Sequence, residues 1–238
     1  MLNLKQERLL VIAPHPDDEV LGCGGLIKRT KDNNGTVFIL FLTVGDTKDY
    51  SPKGKSTLTQ RVEEIHEVAK FLRFDDYEIA LEGNEYHLKL DKVPQLTLIS
   101  LIEKYIQKIK PTILATTQSD DYNQDHIACA RAVFAATRPM PIDDKHSPNV
   151  ILGYRSVITA GWAEPYSPNH NFYLELSKKD LAAKVKALSL YVSQVRENGH
   201  QRSPEAIEKI ARILGIHAGT DYAESYFIHK ILTPISRG

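Results

Sequence analysis

Unbroken apolar runs alternate with stripes of helical period along the first two-thirds of the chain. Residues 9–12 are a short apolar run, and residues 36–43 (Thr-Val-Phe-Ile-Leu-Phe-Leu-Thr) are a longer one. Both read as buried strands, because a parallel strand covered on both faces loses the apolar–polar alternation. Residues 77–81, 112–117 and 150–154 are further strand candidates. Helical patterns fall between them at residues 19–32, 58–72, 93–109 and 124–137. In the second of these Val62, Ile65, Val68, Ala69 and Leu72 share one face, and Pro111 closes the third. Such a βαβα rhythm predicts an α/β fold, a Rossmann-like, mostly parallel sheet flanked by helices. Beyond residue 154 the rhythm loosens. Residues 139–149 and 164–171 read as Pro- and Asn-rich loops, 172–176 and 226–232 as short strands, and 178–195 and 204–214 as helices. The last helix opens on Ser203-Pro204-Glu205, a capping residue followed by proline at the first helical position. No repeat or linker divides the chain, so a single domain over residues 1–238 with an elaborated C-terminal part is expected.

Composition narrows the function more than the fold. The 238 residues are 42% hydrophobic and 25% charged, and 30 basic side chains balance 30 acidic ones. A chain without a basic surplus gives no electrostatic footprint for nucleic acid. Its apolar runs fall short of the ~20 residues of a membrane span, and the first residues lack the apolar segment of a secretory signal. Cys23 and Cys129 stand among small and apolar residues, so both are expected buried and reduced, in a cytoplasmic protein.

Chemistry concentrates at two strand ends. His15, Asp17, Asp18 and Glu19 directly follow the first strand, and Asp120, Asp121, Asn123, Asp125 and His126 follow the strand at 112–117. Open α/β sheets bind ligands at the carboxyl ends of their strands, so the two clusters can converge. His15, Asp18 and His126 form a His₂Asp set of the kind that holds a catalytic zinc and leaves a position for water. Asp17 is then placed to accept and return a proton, and Asp125 to hold an imidazole in the correct tautomer. The plain alternative is a helix-capping Asp beside a solvated carboxylate. Gly22, Gly24 and Gly25 do not complete a dinucleotide loop, because Ile27 stands where a third glycine is needed. They are expected to let the first helix pack closely.

The run Pro14-His15-Pro16-Asp17-Asp18-Glu19 with Gly22-Cys23-Gly24-Gly25, and the later Asp121-Tyr122-Asn123-Gln124-Asp125-His126, resemble the two signatures of the PIG-L/LmbE-like zinc-dependent deacetylases. Weaker matches run from Arg61-Val62-Glu63-Glu64 through residues 186–194 and 200–203 to 222–226. The resemblance implies one zinc ion per chain on His15, Asp18 and His126, with Asp17 as general base. Water would attack the acetamide of an N-acetylated amino sugar, releasing acetate and a free amine. It also leaves room for a homo-oligomer. One position departs from the pattern. Asn123 stands where several family members carry a histidine, and an amide donates a hydrogen bond without titrating. Either Asn123 serves as a neutral donor, or another histidine supplies the acid, with His170, His200 and His217 as candidates.

Arg61, Arg202 and Trp162 are the candidate substrate contacts. The first two suit a sugar or phosphate, and Trp162, with Tyr166, suits stacking on a sugar ring. An Arg61–Glu64 pair on one helix, an ordinary cap region at Arg202 and simple packing of Trp162 are the plain alternatives. Glu19 is expected to order the site, and residues 45–57 to form a rim loop. Two other functions fit acidic strand ends, a metal-dependent phosphoesterase with two ions and a non-catalytic sugar-binding relative.

Overall fold

The computed structural model describes residues 4–48, 54–141, 145–160, 162 and 170–233. Nine strands and six α-helices follow in the order β1 (Arg8–Ala13), α1 (Asp18–Asp32), β2 (Thr36–Val44), β3 (Thr47–Lys48), β4 (Lys55–Ser56), α2 (Leu58–Leu72), β5 (Asp76–Glu82), α3 (Gln95–Ile109), β6 (Ile113–Thr117), α4 (Gln124–Ala136), β7 (Val150–Tyr154), β8 (Phe172–Glu175), α5 (Lys178–Leu190), α6 (Pro204–Ala218) and β9 (Ala223–Ile231). The main sheet has the order β5-β2-β1-β6-β7-β9-β8. Its first five strands are parallel, while β9 runs antiparallel to both β7 and β8. The strand order therefore reverses direction between β1 and β6, the switch point at which such sheets bind ligands.

Alternate residues of β1 and β2 feed two cores. Leu9, Val11, Ile39 and Phe41 join one core with residues of α1, α2, α5 and α6. Leu10, Ile12, Leu40 and Leu42 join the other with residues of α3 and α4. Burial on both faces explains why these strands read as continuous apolar runs. Gly22 lets α1 approach the sheet, because a Cβ there would lie 2.1 Å from Cδ2 of the Tyr154 ring. Cys23 and Cys129 are free and buried. Among the described residues no helix is long and apolar enough to cross a membrane.

The C-terminal part is fastened to α1 by a buried carboxylate. Glu224 on β9 accepts from the backbone N–H groups of Gly25 (2.7 Å) and Leu26 (2.9 Å), from Lys184 Nζ (2.7 Å) and from the Tyr226 hydroxyl (2.6 Å). Removing one partner of a buried ion pair leaves an uncompensated charge, at a cost of roughly 3–5 kcal/mol. Three donors remain to Glu224, so Lys184→Met is expected at the lower end, about 3 kcal/mol. A lower urea midpoint at unchanged slope would report it.

Three elements differ from the sequence pattern. The helix expected over 178–195 stops at Leu190, and Tyr191 leaves helical dihedrals. There the Tyr191 hydroxyl is drawn to Glu19 (2.6 Å), and Glu64 takes both the N–H and the hydroxyl of Ser193. These side-chain partners compete with the helical ladder. Helix α6 runs to Ala218, ended by Gly219 at φ 74°. Strand β9 starts at Ala223, earlier than the expected 226. Within residues 45–57, β3 and β4 pair as a short hairpin. Residues 49–53, most of the 164–171 loop and Tyr166 lie outside the described residues.

Candidate metal centre

The two clusters meet at the switch point. His15, Asp17 and Asp18 stand on the turn between β1 and the start of α1, and His126 on the first turn of α4. His15 Nδ1 lies 3.4 Å from Asp18 Oδ2, and His126 Nε2 lies 3.3 Å from the same oxygen. One ligand-type atom from each of the three residues falls within 4.8 Å of the others. Ligands at 2.0–2.1 Å on a tetrahedral ion are separated by about 3.3 Å, close to the two spacings seen here. Asp18 Oδ1 and His126 Nε2 are buried and have no hydrogen-bond partner among the described residues, an arrangement that is costly unless something else satisfies them. The donor set and its spacing fit a zinc ion.

Each imidazole is held from behind by its own carboxylate. His15 Nε2 lies 2.8 Å from Asp125 Oδ2, and the other oxygen of Asp125 accepts from the Leu90 N–H (2.9 Å). His126 Nδ1 lies 2.6 Å from Asp121 Oδ2, while Asp121 Oδ1 accepts from the Asn123 N–H (2.9 Å). Asp125 thus serves His15 across the crevice, and the partner of His126 is Asp121, which sequence reasoning passed over. Carboxylates behind ligating histidines fix tautomer and ring orientation, and losing one costs roughly 10–100-fold in metal affinity. Asp121→Asn is expected to weaken zinc binding within that range, checked by titration against a chelator of known affinity.

Burial pushes the pKa of His126 down, but Asp18 and Asp121 more than reverse this and raise it to about 10. Burial likewise pushes Asp18 up, yet His126 and His15 hold it well below the usual carboxylate range.

Asp17 has a different setting. It precedes α1 at φ 111° and ψ −27°, and its side chain makes no capping bond. It is 1% exposed, so the plain alternative of a cap beside a solvated carboxylate does not describe it. Holding a non-glycine residue in such a backbone conformation costs of order 1–3 kcal/mol. Glu19 Oε2 accepts from the Asp17 N–H (3.1 Å), and Tyr191 donates to the other oxygen of Glu19. Burial raises Glu19 to about 8. It also raises Asp17, against the opposing pull of Arg202, whose Nη1 lies 3.4 Å from Asp17 Oδ2.

Of the other expected residues, Arg61 is 2% exposed and donates to the Pro16 carbonyl (3.1 Å) and to Ser193 (3.5 Å). It braces the turn from inside. Trp162 is 77% exposed. Asn123 caps α4, its side-chain oxygen accepting from the Asp125 N–H (2.9 Å). Of the candidate histidines, His200 accepts from the Arg202 N–H and His217 stands in the exposed last turn of α6. The histidine that does approach the cluster is His87, edge-on to His15 with ring centroids 5.4 Å apart and Nδ1 3.0 Å from the Thr43 hydroxyl. Burial and neighbouring His15 lower its pKa to about 3. His87 follows β5, so the strand-end rule that found the two clusters also points to it.

The family model described as PIG-L, GlcNAc-PI de-N-acetylase, matches residues 10–137, which carry both clusters. The chain belongs to the PIG-L family. It is 25% identical over 224 residues to a diacetylchitobiose deacetylase of Thermococcus kodakarensis, covering 92% of this chain and 81% of that one. The fold is similar to that of the N,N'-diacetylchitobiose deacetylase of Pyrococcus horikoshii, with a TM-score of 0.71 and 19% identity over 97% of this chain and 88% of the other. A 4-carboxy-2-hydroxymuconate hydratase of Pseudomonas putida KT2440 superposes nearly as well, at a TM-score of 0.69 and 16% identity over 97% of this chain and 99% of the other. The fold alone therefore does not select the reaction. PIG-L membership is carried by the residues that hold both clusters, and the family model is described as a de-N-acetylase.

Proposed function

We propose that this PIG-L protein is a zinc-dependent N-deacetylase that hydrolyses the acetamide of an N-acetylated amino-sugar derivative to acetate and a free amine. The observation that carries the reading is the buried His15–Asp18–His126 triangle with the uncapped carboxylate of Asp17 next to it. Zinc held by those three residues supplies Lewis acidity, polarising the acetamide carbonyl and making water nucleophilic near neutral pH.

The remaining work falls to the chain. Asp17 takes a proton from the attacking water and returns it to the departing amine. Its burial favours this role, since a base works best when its pKa approaches the working pH. Glu19, through the backbone of Asp17, and Arg202, through its carboxylate, keep that group in place. Asp125 and Asp121 hold the His15 and His126 rings. Asn123 offers a neutral amide donor to the developing oxyanion, so proton transfer rests on Asp17 alone. The sugar is assigned to Arg202, with 28% of its side chain exposed beside Asp17, and to the exposed indole of Trp162.

The test is amine release from a panel of N-acetylglucosamine conjugates by zinc-loaded protein. Activity on at least one conjugate, with about one zinc per chain, is the expected result. No release across a broad panel would remove the deacetylase reading, and about two metals per chain would favour phosphoester chemistry.

A further inference from the structure

One turn along α1 from Asp18, a cavity of about 120 Å³ opens between α1, α6, β9 and the segment after β7. Its apolar wall is formed by Leu21, Val157, Ile207, Ala211 and Leu214. Among the described residues, the polar groups that reach it include Arg155, which pairs with Asp120, and Gln201, which accepts from the Thr159 hydroxyl, besides two further kinds. Lys184 and Glu224 are spent on each other and on α1. Ser156 is 5% exposed, and its hydroxyl has no hydrogen-bond partner among the described residues; His170 Nε2 is also buried without one among them. Ile158, 55% exposed, marks the outer end.

A hydroxyl buried without a partner costs free energy unless a guest supplies one. An apolar cavity of this scale takes a guest of about six heavy atoms, as a dry cavity of similar volume takes benzene. We propose that the cavity is a binding site for a short aliphatic chain of about five carbons ending in a neutral polar group, with Ser156 Oγ bonding that end. A charged end suits it less, because the nearby charges of Lys184 and Glu224 are already matched.

The cavity also abuts the metal centre along three stretches of chain. Leu21 donates its N–H to the Asp17 carbonyl, Arg155 pairs with Asp120 next to Asp121, and Gln201 precedes Arg202. The chain can therefore come from a free small alcohol or from a substituent on the substrate of the neighbouring site. The second source rests on the proposed deacetylase reading, and the first does not.

Direct binding of 1-pentanol to the zinc-loaded protein, followed by ligand-observed NMR, tests the site without using activity. Saturable binding is expected, weakened at least about tenfold by Ala211→Phe, which fills the cavity, and measurably by Ser156→Ala. Ala211 is buried, so Ile158→Asp at the exposed end serves as a second variant; it puts a charge at the entrance and leaves the core untouched. Failure of pentanol to bind, or binding that neither Ala211→Phe nor Ile158→Asp weakens, overturns the proposal. A second arm separates the sources by comparing KM for N-acetylglucosamine and its pentyl glycoside. A lower KM for the glycoside that Ala211→Phe abolishes assigns the chain to the substrate; equal values together with pentanol binding assign it to a free ligand.

Discussion

Asp17→Asn is expected to bind zinc like the wild type and to lose about 10²- to 10⁴-fold in kcat, the usual worth of a positioned general base. The substitution keeps size and backbone, so Glu19 still accepts from the residue 17 N–H and the turn keeps its shape. Only the capacity to take a proton disappears. Asp18 and the two histidines are untouched, and metal content measured on the same sample separates a chemical defect from a binding defect. Glu19 and Arg202 cannot stand in, since one faces the Asp17 backbone and Tyr191 and the other is a cation. A variant that retains more than about a tenth of wild-type kcat would take Asp17 out of the proton-transfer role.

His126→Ala is expected to purify with almost no zinc and to be inactive for that reason. Its Nε2 is one of three converging ligand atoms, and two remaining protein ligands fall short of the three that catalytic zinc sites use. The change also strips Asp121 of its ring partner and leaves there a carboxylate that is only 6% exposed. Melting temperature should therefore become insensitive to added zinc, whereas the wild type gains stability by mass action. His200→Ala, on an exposed turn, is the matched control and keeps its metal. Stoichiometric zinc in His126→Ala would show that the ligand set lies elsewhere.

Much of this was legible in the chain because the relevant signals are local. The unbroken apolar runs of β1 and β2 announced a doubly covered parallel sheet, and the strand-end rule then brought two short acidic segments to one crevice. The roles of Asp121 and Asp125 were harder to divide, because which carboxylate backs which ring depends on the pairing of β1 with β6 and not on adjacency. Asp125 is next to His126 in sequence and bonded to His15 in space. The end of α5 at Leu190, where Tyr191 turns away, and the burial of Arg61 were not legible for a related reason. The partners of these two side chains, Glu19 and Pro16, lie 172 and 45 residues away, and no periodicity records such contacts. His87 carried a usable signal, its place just after β5, but a lone histidine amid Asn84, Glu85 and Tyr86 looks like ordinary surface until the sheet is assembled.

The clasp between Glu224 and the middle of α1 spans 199 residues. It ties the helix that begins at the turn carrying His15, Asp17 and Asp18 to a strand synthesised near the end of the described chain. A nascent polypeptide can lay down β1, β2 and β6 early, yet the carboxylate that locks α1 arrives only with β9, and the Tyr191 hydroxyl that steadies Glu19 arrives only after α5. Contacts of such separation are slow to close. The residues of the candidate centre are all made by residue 126, whereas the groups that brace its turn, Tyr191 and Glu224, come much later, so a chain stopped short of β9 would hold the cluster without its braces.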